Sequence, residues 1–132
     1  MKILIVDDRG ELRKLVAMTL AHCDFEFAEA ENGRDAISIA ELFRPNLVIL
    51  DVMMPGDLDG FEVCRALRAS ANLGKVSIVM LTARGQEQDR KTGAAVGADA
   101  FLVKPFSPLA LIEVVEKLLY NNSDDAGKRS HA

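Results

Sequence analysis

The sequence predicts one α/β domain with five parallel strands in a doubly wound, flavodoxin-like sheet of order 2-1-3-4-5, flanked by five helices. Two observations carry this expectation. Ile3 to Val6, Leu47 to Leu50, Ile78 to Leu81 and Ala100 to Val103 are continuous apolar runs of strand length, the pattern of strands covered on both faces. Longer stretches with apolar residues at helical spacing separate them, and such alternation favours right-handed βαβ units. The 132 residues, 49% hydrophobic and 27% charged, suit one domain able to bury a core without staples.

In chain order, the first strand leads into a helix through Leu12, Leu15, Val16 and Leu20. A weaker second strand, Phe25 to Ala28, begins with the alternation Phe25, Glu26, Phe27. Ala36, Ile37, Ala40 and Phe43 mark helix 2, stopped ahead of Pro45, and Phe61, Cys64 and Leu67 mark helix 3. Helix 4, Gln86 to Val96, offers few large apolar side chains and the small run Gly93 to Ala95, so it reads as weakly anchored. Helix 5 carries Leu111, Ile112, Val115, Leu118 and Leu119. It starts where Ser107 can cap the first turn and Pro108 fits the first helical position. Composition turns polar at Asn121, so residues 1–120 are expected to form the domain and 121–132 a flexible tail or linker stub.

Composition excludes several classes. Sixteen Lys and Arg against 20 Asp and Glu give a net charge of −4, which argues against direct nucleic-acid binding through a basic face. The apolar start, Ile3 to Val6, is too short for a signal-peptide core, and no run is long enough for a membrane span, so a cytoplasmic location is expected. Cys23 and Cys64 form no CxxC pair and read as reduced thiols. His22 and His131 form no cluster for metal or general-base chemistry.

In doubly wound sheets ligands sit beyond the carboxyl ends of the strands, at the switch in winding direction. The residues there are Asp7 and Asp8 after strand 1, Asp51 after strand 3, Thr82 after strand 4, and Lys104 with Pro105 after strand 5. Three converging carboxylates repel one another unless a cation is present, and Mg²⁺ prefers such oxygen ligands together with waters and phosphoryl oxygens. A carboxylate can attack phosphorus to form an acyl phosphate, a reaction governed by positioning and charge neutralisation. Asp51 is the best nucleophile, being on the central strand, with Lys104 a fixed cation, Thr82 a hydroxyl donor, and Asp7 and Asp8 available to hold the metal. Read singly, each residue has a plainer use: the aspartates as helix caps or turn formers, Thr82 as an ordinary strand end, Lys104 as a snorkelling surface lysine, Phe101 as a core aromatic. Those readings leave unexplained why all the polar groups fall at one sheet edge.

From Lys2 to about Leu119 the chain resembles the receiver domain of two-component response regulators. The resemblance rests on Val6-Asp7-Asp8, Asp51-Val52-Met53-Met54-Pro55 with Asp59-Gly60, Leu81-Thr82-Ala83, Gly97-Ala98-Asp99-Ala100-Phe101, and Lys104-Pro105-Phe106, in order and on the expected elements. It implies a phosphoacceptor at Asp51 and Mg²⁺ held by Asp8, Asp51 and the Met53 backbone carbonyl, with Asp7 acting through water or from behind. It also implies a cis Lys104-Pro105 bond. Phosphorylation would draw Thr82 inward, let Phe101 turn into the vacated space, and reshape the surface of helix 4, strand 5 and helix 5. A sensor histidine kinase or histidine phosphotransfer protein would supply the phosphoryl group, a downstream effector protein would read that surface, and a homodimer formed on phosphorylation is compatible with it. Such a module assists its own phosphorylation and dephosphorylation without being a turnover enzyme.

One departure from the family pattern is the stretch Pro55-Gly56-Asp57-Leu58-Asp59-Gly60, with three residues instead of two between Pro55 and the Asp-Gly pair. It lengthens the loop beside the phosphoacceptor and is expected to place Asp57 near it. The bulk of Met53 and Arg84, beside the path of an attacking water, predicts slow self-hydrolysis. Three other functions compete. A phosphorylation-independent binding module would not need the intact Asp8, Asp51, Thr82 and Lys104. A phosphohydrolase of the haloacid dehalogenase type wants Asp-x-Asp, whereas Asp51 is followed by Val52 and Met53. A flavin carrier wants a Ser/Thr/Gly-rich first loop, whereas Asp7 and Asp8 would repel phosphate.

Overall fold

The computed structural model describes residues 1–21, 24–83 and 86–127, with side chains through Tyr120; His22, Cys23, Arg84 and His131 lie outside them. The elements are β1 (Lys2–Val6), α1 (Gly10–Thr19), β2 (Glu26–Ala30), α2 (Gly33–Phe43), β3 (Leu47–Asp51), α3 (Gly60–Ala69), β4 (Ser77–Ala83), α4 (Glu87–Val96), β5 (Ala100–Lys104) and α5 (Pro108–Gly127). The strands are parallel and ordered β2-β1-β3-β4-β5, as expected.

Successive side chains of a strand point to opposite faces, so each apolar run feeds two cores. Leu4, Val6, Val48, Leu50, Ile78 and Met80 pack with Ala36 and Ala40 of α2 and Val63, Cys64 and Leu67 of α3. Ile3, Ile5, Leu47, Ile49, Val79 and Leu81 pack with Val16 of α1 and Leu111, Val115 and Leu119 of α5. All five residues of β3 are buried, as suits the central strand. Among the described residues no helix is long and apolar enough to cross a membrane.

Two boundaries differ from expectation. β2 begins and ends later, because its pairing with β1 runs from Lys2 opposite Glu26 to Val6 opposite Ala30. The Phe25/Phe27 alternation marks only its entry, where the two rings meet edge to face. Helix α5 continues past the composition boundary at 120, since polar residues can prolong a helix without adding to the core. Its start is as expected: the Ala110 amide donates to the Ser107 hydroxyl at 3.0 Å.

Helix α3 opens on a capping box the Asp59-x-x-Glu62 spacing encodes: each side chain accepts from the other's backbone amide. Gly60 follows because a side chain there has no room; its Cβ would lie 2.3 Å from the Asp51 carbonyl oxygen. Helix α4 has no side-chain N-cap and buries only Gly93, consistent with weak anchoring. Its far end is held by Arg68, which donates to the Gly97 carbonyl and pairs with Asp99.

Candidate functional site

The register sets the carboxyl ends of four strands side by side. Val6 lies opposite Leu50, Asp51 opposite Leu81, and Ala83 opposite Lys104, so Asp7, Asp51, Thr82 and Lys104 share one edge. One carboxylate oxygen from each of Asp7, Asp8 and Asp51 lies within 4.8 Å of the others. Asp7 and Asp51 are buried and Asp8 is exposed. The Lys104 ammonium bridges the two buried acids, 3.0 Å from Asp7 Oδ2 and 3.2 Å from Asp51 Oδ1.

The backbone fixes both acids further. The Arg9 amide donates to Asp7 Oδ1 at 2.9 Å, and the Met53 amide donates to Asp51 Oδ1 at 3.2 Å. Burial, and then repulsion from Asp7, push the Asp51 carboxyl up to about 6, against the opposing pull of Lys104. Lys104 therefore does not fully offset the combined effect of burial and crowded negative charge. Among the described residues, Thr82 Oγ1 is buried with no hydrogen-bond partner, so its hydroxyl has a donor to offer at this edge. Carboxylate oxygens are the hard donors that Mg²⁺ takes, usually one or two together with waters and phosphoryl oxygens, so the residues present fit a divalent cation beside a group offering acceptor oxygens to Thr82 and Lys104.

Of the remaining expected residues, Met53 contributes its backbone amide to the site while the residue is 71% exposed. Pro105 follows a cis peptide bond from Lys104. Phe101 is half-buried against Gly93 of α4, with the Arg90 guanidinium 5.7 Å from its ring centroid. Cys64 is a free, buried thiol, raised in pKa by its burial.

Asp57 does not join the acidic cluster. It turns to Arg34 at the start of α2, which holds its carboxyl below the usual carboxylate range through hydrogen bonds and charge. Gly56 just before it has φ +100°, a conformation that favours glycine. Sequence reasoning also missed Arg13, which donates to the Asp7 carbonyl at 2.7 Å and pairs with Glu29. Nothing beyond the position of Arg13 on the amphipathic α1 pointed to that support.

Comparison with known proteins identifies the family and the fold. The model of the response regulator receiver domain matches residues 3–116. The transcriptional regulatory protein ResD of Bacillus subtilis is 43% identical over 118 residues, covering 89% of this chain and 48% of ResD. The chain thus spans about half the length of the curated relatives it matches. Among solved structures, the chemotaxis response regulator CheY4 of Vibrio cholerae superposes with a TM-score of 0.82 at 36% identity, covering 89% of this chain and 98% of that one. The receiver domain of the sensor histidine kinase PA1611 from Pseudomonas aeruginosa, solved with a magnesium ion coordinated in its active-site cleft, gives 0.79 at 27% identity, covering 89% and 95%.

Proposed function

The chain belongs to the response regulator receiver domain family, and on that premise we propose that it carries a phosphorelay signal by accepting a phosphoryl group on Asp51. The observation that carries this reading is the arrangement around Asp51: a buried carboxylate 3.2 Å from the Lys104 ammonium, grouped with Asp7 and Asp8, and close in register to the partnerless Thr82 hydroxyl.

A phosphohistidine of a sensor kinase or phosphotransfer protein, or a small acyl phosphate, is the donor. An Asp51 carboxylate oxygen forms the new O–P bond as the P–N or P–O bond to the donor breaks, and the leaving group keeps the bonding pair. Asp8, Asp51 and the Met53 carbonyl would hold Mg²⁺, with Asp7 behind them. When bound, the ion supplies positive charge to the carboxylates and the phosphoryl oxygens. Lys104 pairs with a phosphoryl oxygen, and Thr82 donates its hydroxyl to another, giving that buried group its partner. Movement of Thr82 opens space for Phe101, and the surface of α4, β5 and α5 shifts between two packings that an effector protein distinguishes.

The test is incubation with acetyl phosphate or beryllofluoride and Mg²⁺, followed by intact-mass measurement and site mapping. A single adduct at Asp51, lost in Asp51→Asn, is expected. No adduct, or one that survives Asp51→Asn, overturns the reading.

A further inference from the structure

The loop from Val52 to Asp59 joins β3 to α3 and is one residue longer than the family pattern. Its ends are pinned, since the Gly60 amide donates to the Val52 carbonyl at 3.0 Å and Gly60 packs directly on the Asp51 carbonyl. Its middle stands over a cleft of about 440 Å³, lined on one side by Pro55 to Leu58 and on the other by Asn32 to Asp35. Two contacts span the gap. Leu58 sits against Gly33, where an added Cβ would come within 2.8 Å of the Leu58 Cβ. The Arg34 guanidinium grips the Asp57 carboxylate in a forked pair, Nε donating to Oδ1 at 3.1 Å and to Oδ2 at 3.0 Å, with Nη2 also on Oδ2. Among the described residues this is the loop's one ion pair. The same loop touches the reactive carboxylate through the Met53 amide.

We propose that the Arg34–Asp57 pair is a strap that positions the lengthened loop, and through it the Met53 backbone, against the Asp51 carboxylate. Arg34 and Asp57 are positioning residues: neither reaches the acidic cluster, and both act through Met53 on the cation site. This rests on the phosphoacceptor reading above, in which Met53 lends its carbonyl to that site. A forked guanidinium–carboxylate pair suits the task because its planar geometry fixes direction as well as distance.

The strap and a simple charge effect predict opposite patterns. Neutralising Asp57 removes negative charge near the site and neutralising Arg34 removes positive charge, so field effects alone would shift Mg²⁺ affinity in opposite directions. Loss of the strap shifts it the same way in both. The experiment measures phosphorylation by acetyl phosphate as a function of Mg²⁺ for the wild type, Asp57→Asn, Arg34→Gln, and the exchange of Arg34→Asp with Asp57→Arg. Each single variant is expected to raise the half-saturating Mg²⁺ concentration about threefold, the size appropriate to an exposed pair. The rate at saturating Mg²⁺ should change little, and the exchanged pair should return to wild-type behaviour. Opposite shifts in the two single variants, or none, overturn the proposal.

Amide hydrogen exchange of residues 52–60 in metal-free protein provides a readout that needs no phosphorylation. Both single variants should speed exchange at Met53 and the exchanged pair should restore it, whereas equal exchange in all four proteins overturns the strap. If the wild type takes no phosphoryl group, the phosphoacceptor reading fails, and the exchange data still decide whether the strap exists.

Discussion

Asp51→Asn should stabilise the metal-free protein, and the gain should depend on pH. Burial and the neighbouring Asp7 raise the Asp51 carboxyl from its ordinary 3.8 to about 6. A difference of that size corresponds to about 3 kcal/mol between the protonated and ionised forms. The folded protein binds this proton more tightly than the unfolded chain. The resulting stability is therefore full below about pH 4 and is lost as pH climbs through about 6. Above that range the wild type bears the full cost of an ionised, crowded carboxylate, and the Asn variant does not. The stability difference between variant and wild type should thus grow by about 2 kcal/mol between about pH 4.5 and about pH 8, the greater part of the full window. Urea unfolding of both proteins in a chelating agent at the two pH values measures it, and subtracting the curves removes titrations common to both. Millimolar Mg²⁺ should shrink the difference at the higher pH, because the cation stabilises only the carboxylate form. A variant-minus-wild-type difference that is the same at both pH values would refute the reasoning.

Three further outcomes are expected. Thr82→Val removes a buried hydroxyl that has no partner among the described residues while keeping the side-chain shape, so it should raise metal-free stability by about 1 kcal/mol and slow phosphorylation; a clear loss of stability would contradict the first part. Arg68→Ala should lower stability by about 2 kcal/mol in urea titrations, since Arg68 joins the carbonyls of Val76 and Gly97 and the Asp99 carboxylate; Arg68→Lys should recover little, because an ammonium cannot span all three. Gly93→Ala would bring a Cβ within 2.6 Å of Phe101 Cε1 and 2.8 Å of Met80 Sδ. Crowding of that kind costs about 1–3 kcal/mol and outweighs the better helix propensity of alanine, so a higher melting temperature would count against the packing described.

The sheet and the convergence of Asp7, Asp8, Asp51, Thr82 and Lys104 were legible in the sequence. Continuous apolar runs locate buried parallel strands, and in a doubly wound sheet the polar residue after each run must stand at the common edge. The edge strand β2 was less legible because it is only partly covered, so its pattern marks the entry and not the full length paired with β1. The contacts supporting the acids were not legible at all. Arg13 and Arg34 look like ordinary surface cations on amphipathic helices, and only the folded chain brings them to the Asp7 carbonyl and to Asp57. Asp57 was expected near the phosphoacceptor because the loop beside it is one residue longer than the family pattern. In the folded chain, after the turn at Gly56, its carboxylate is paired with the Arg34 guanidinium and stays out of the acidic cluster.

The bridge from Lys104 to Asp7 joins residues 97 positions apart. A chain made from its N-terminus therefore brings out both buried aspartates long before their counter-ion. Until β5 adds to the edge of β4, Asp7 and Asp51 have no ammonium between them, and a half-finished sheet holds an unbalanced pair of acids. The last strand to emerge both closes the sheet and supplies this charge. A nascent chain thus lacks this counter-charge until nearly the whole domain has been made.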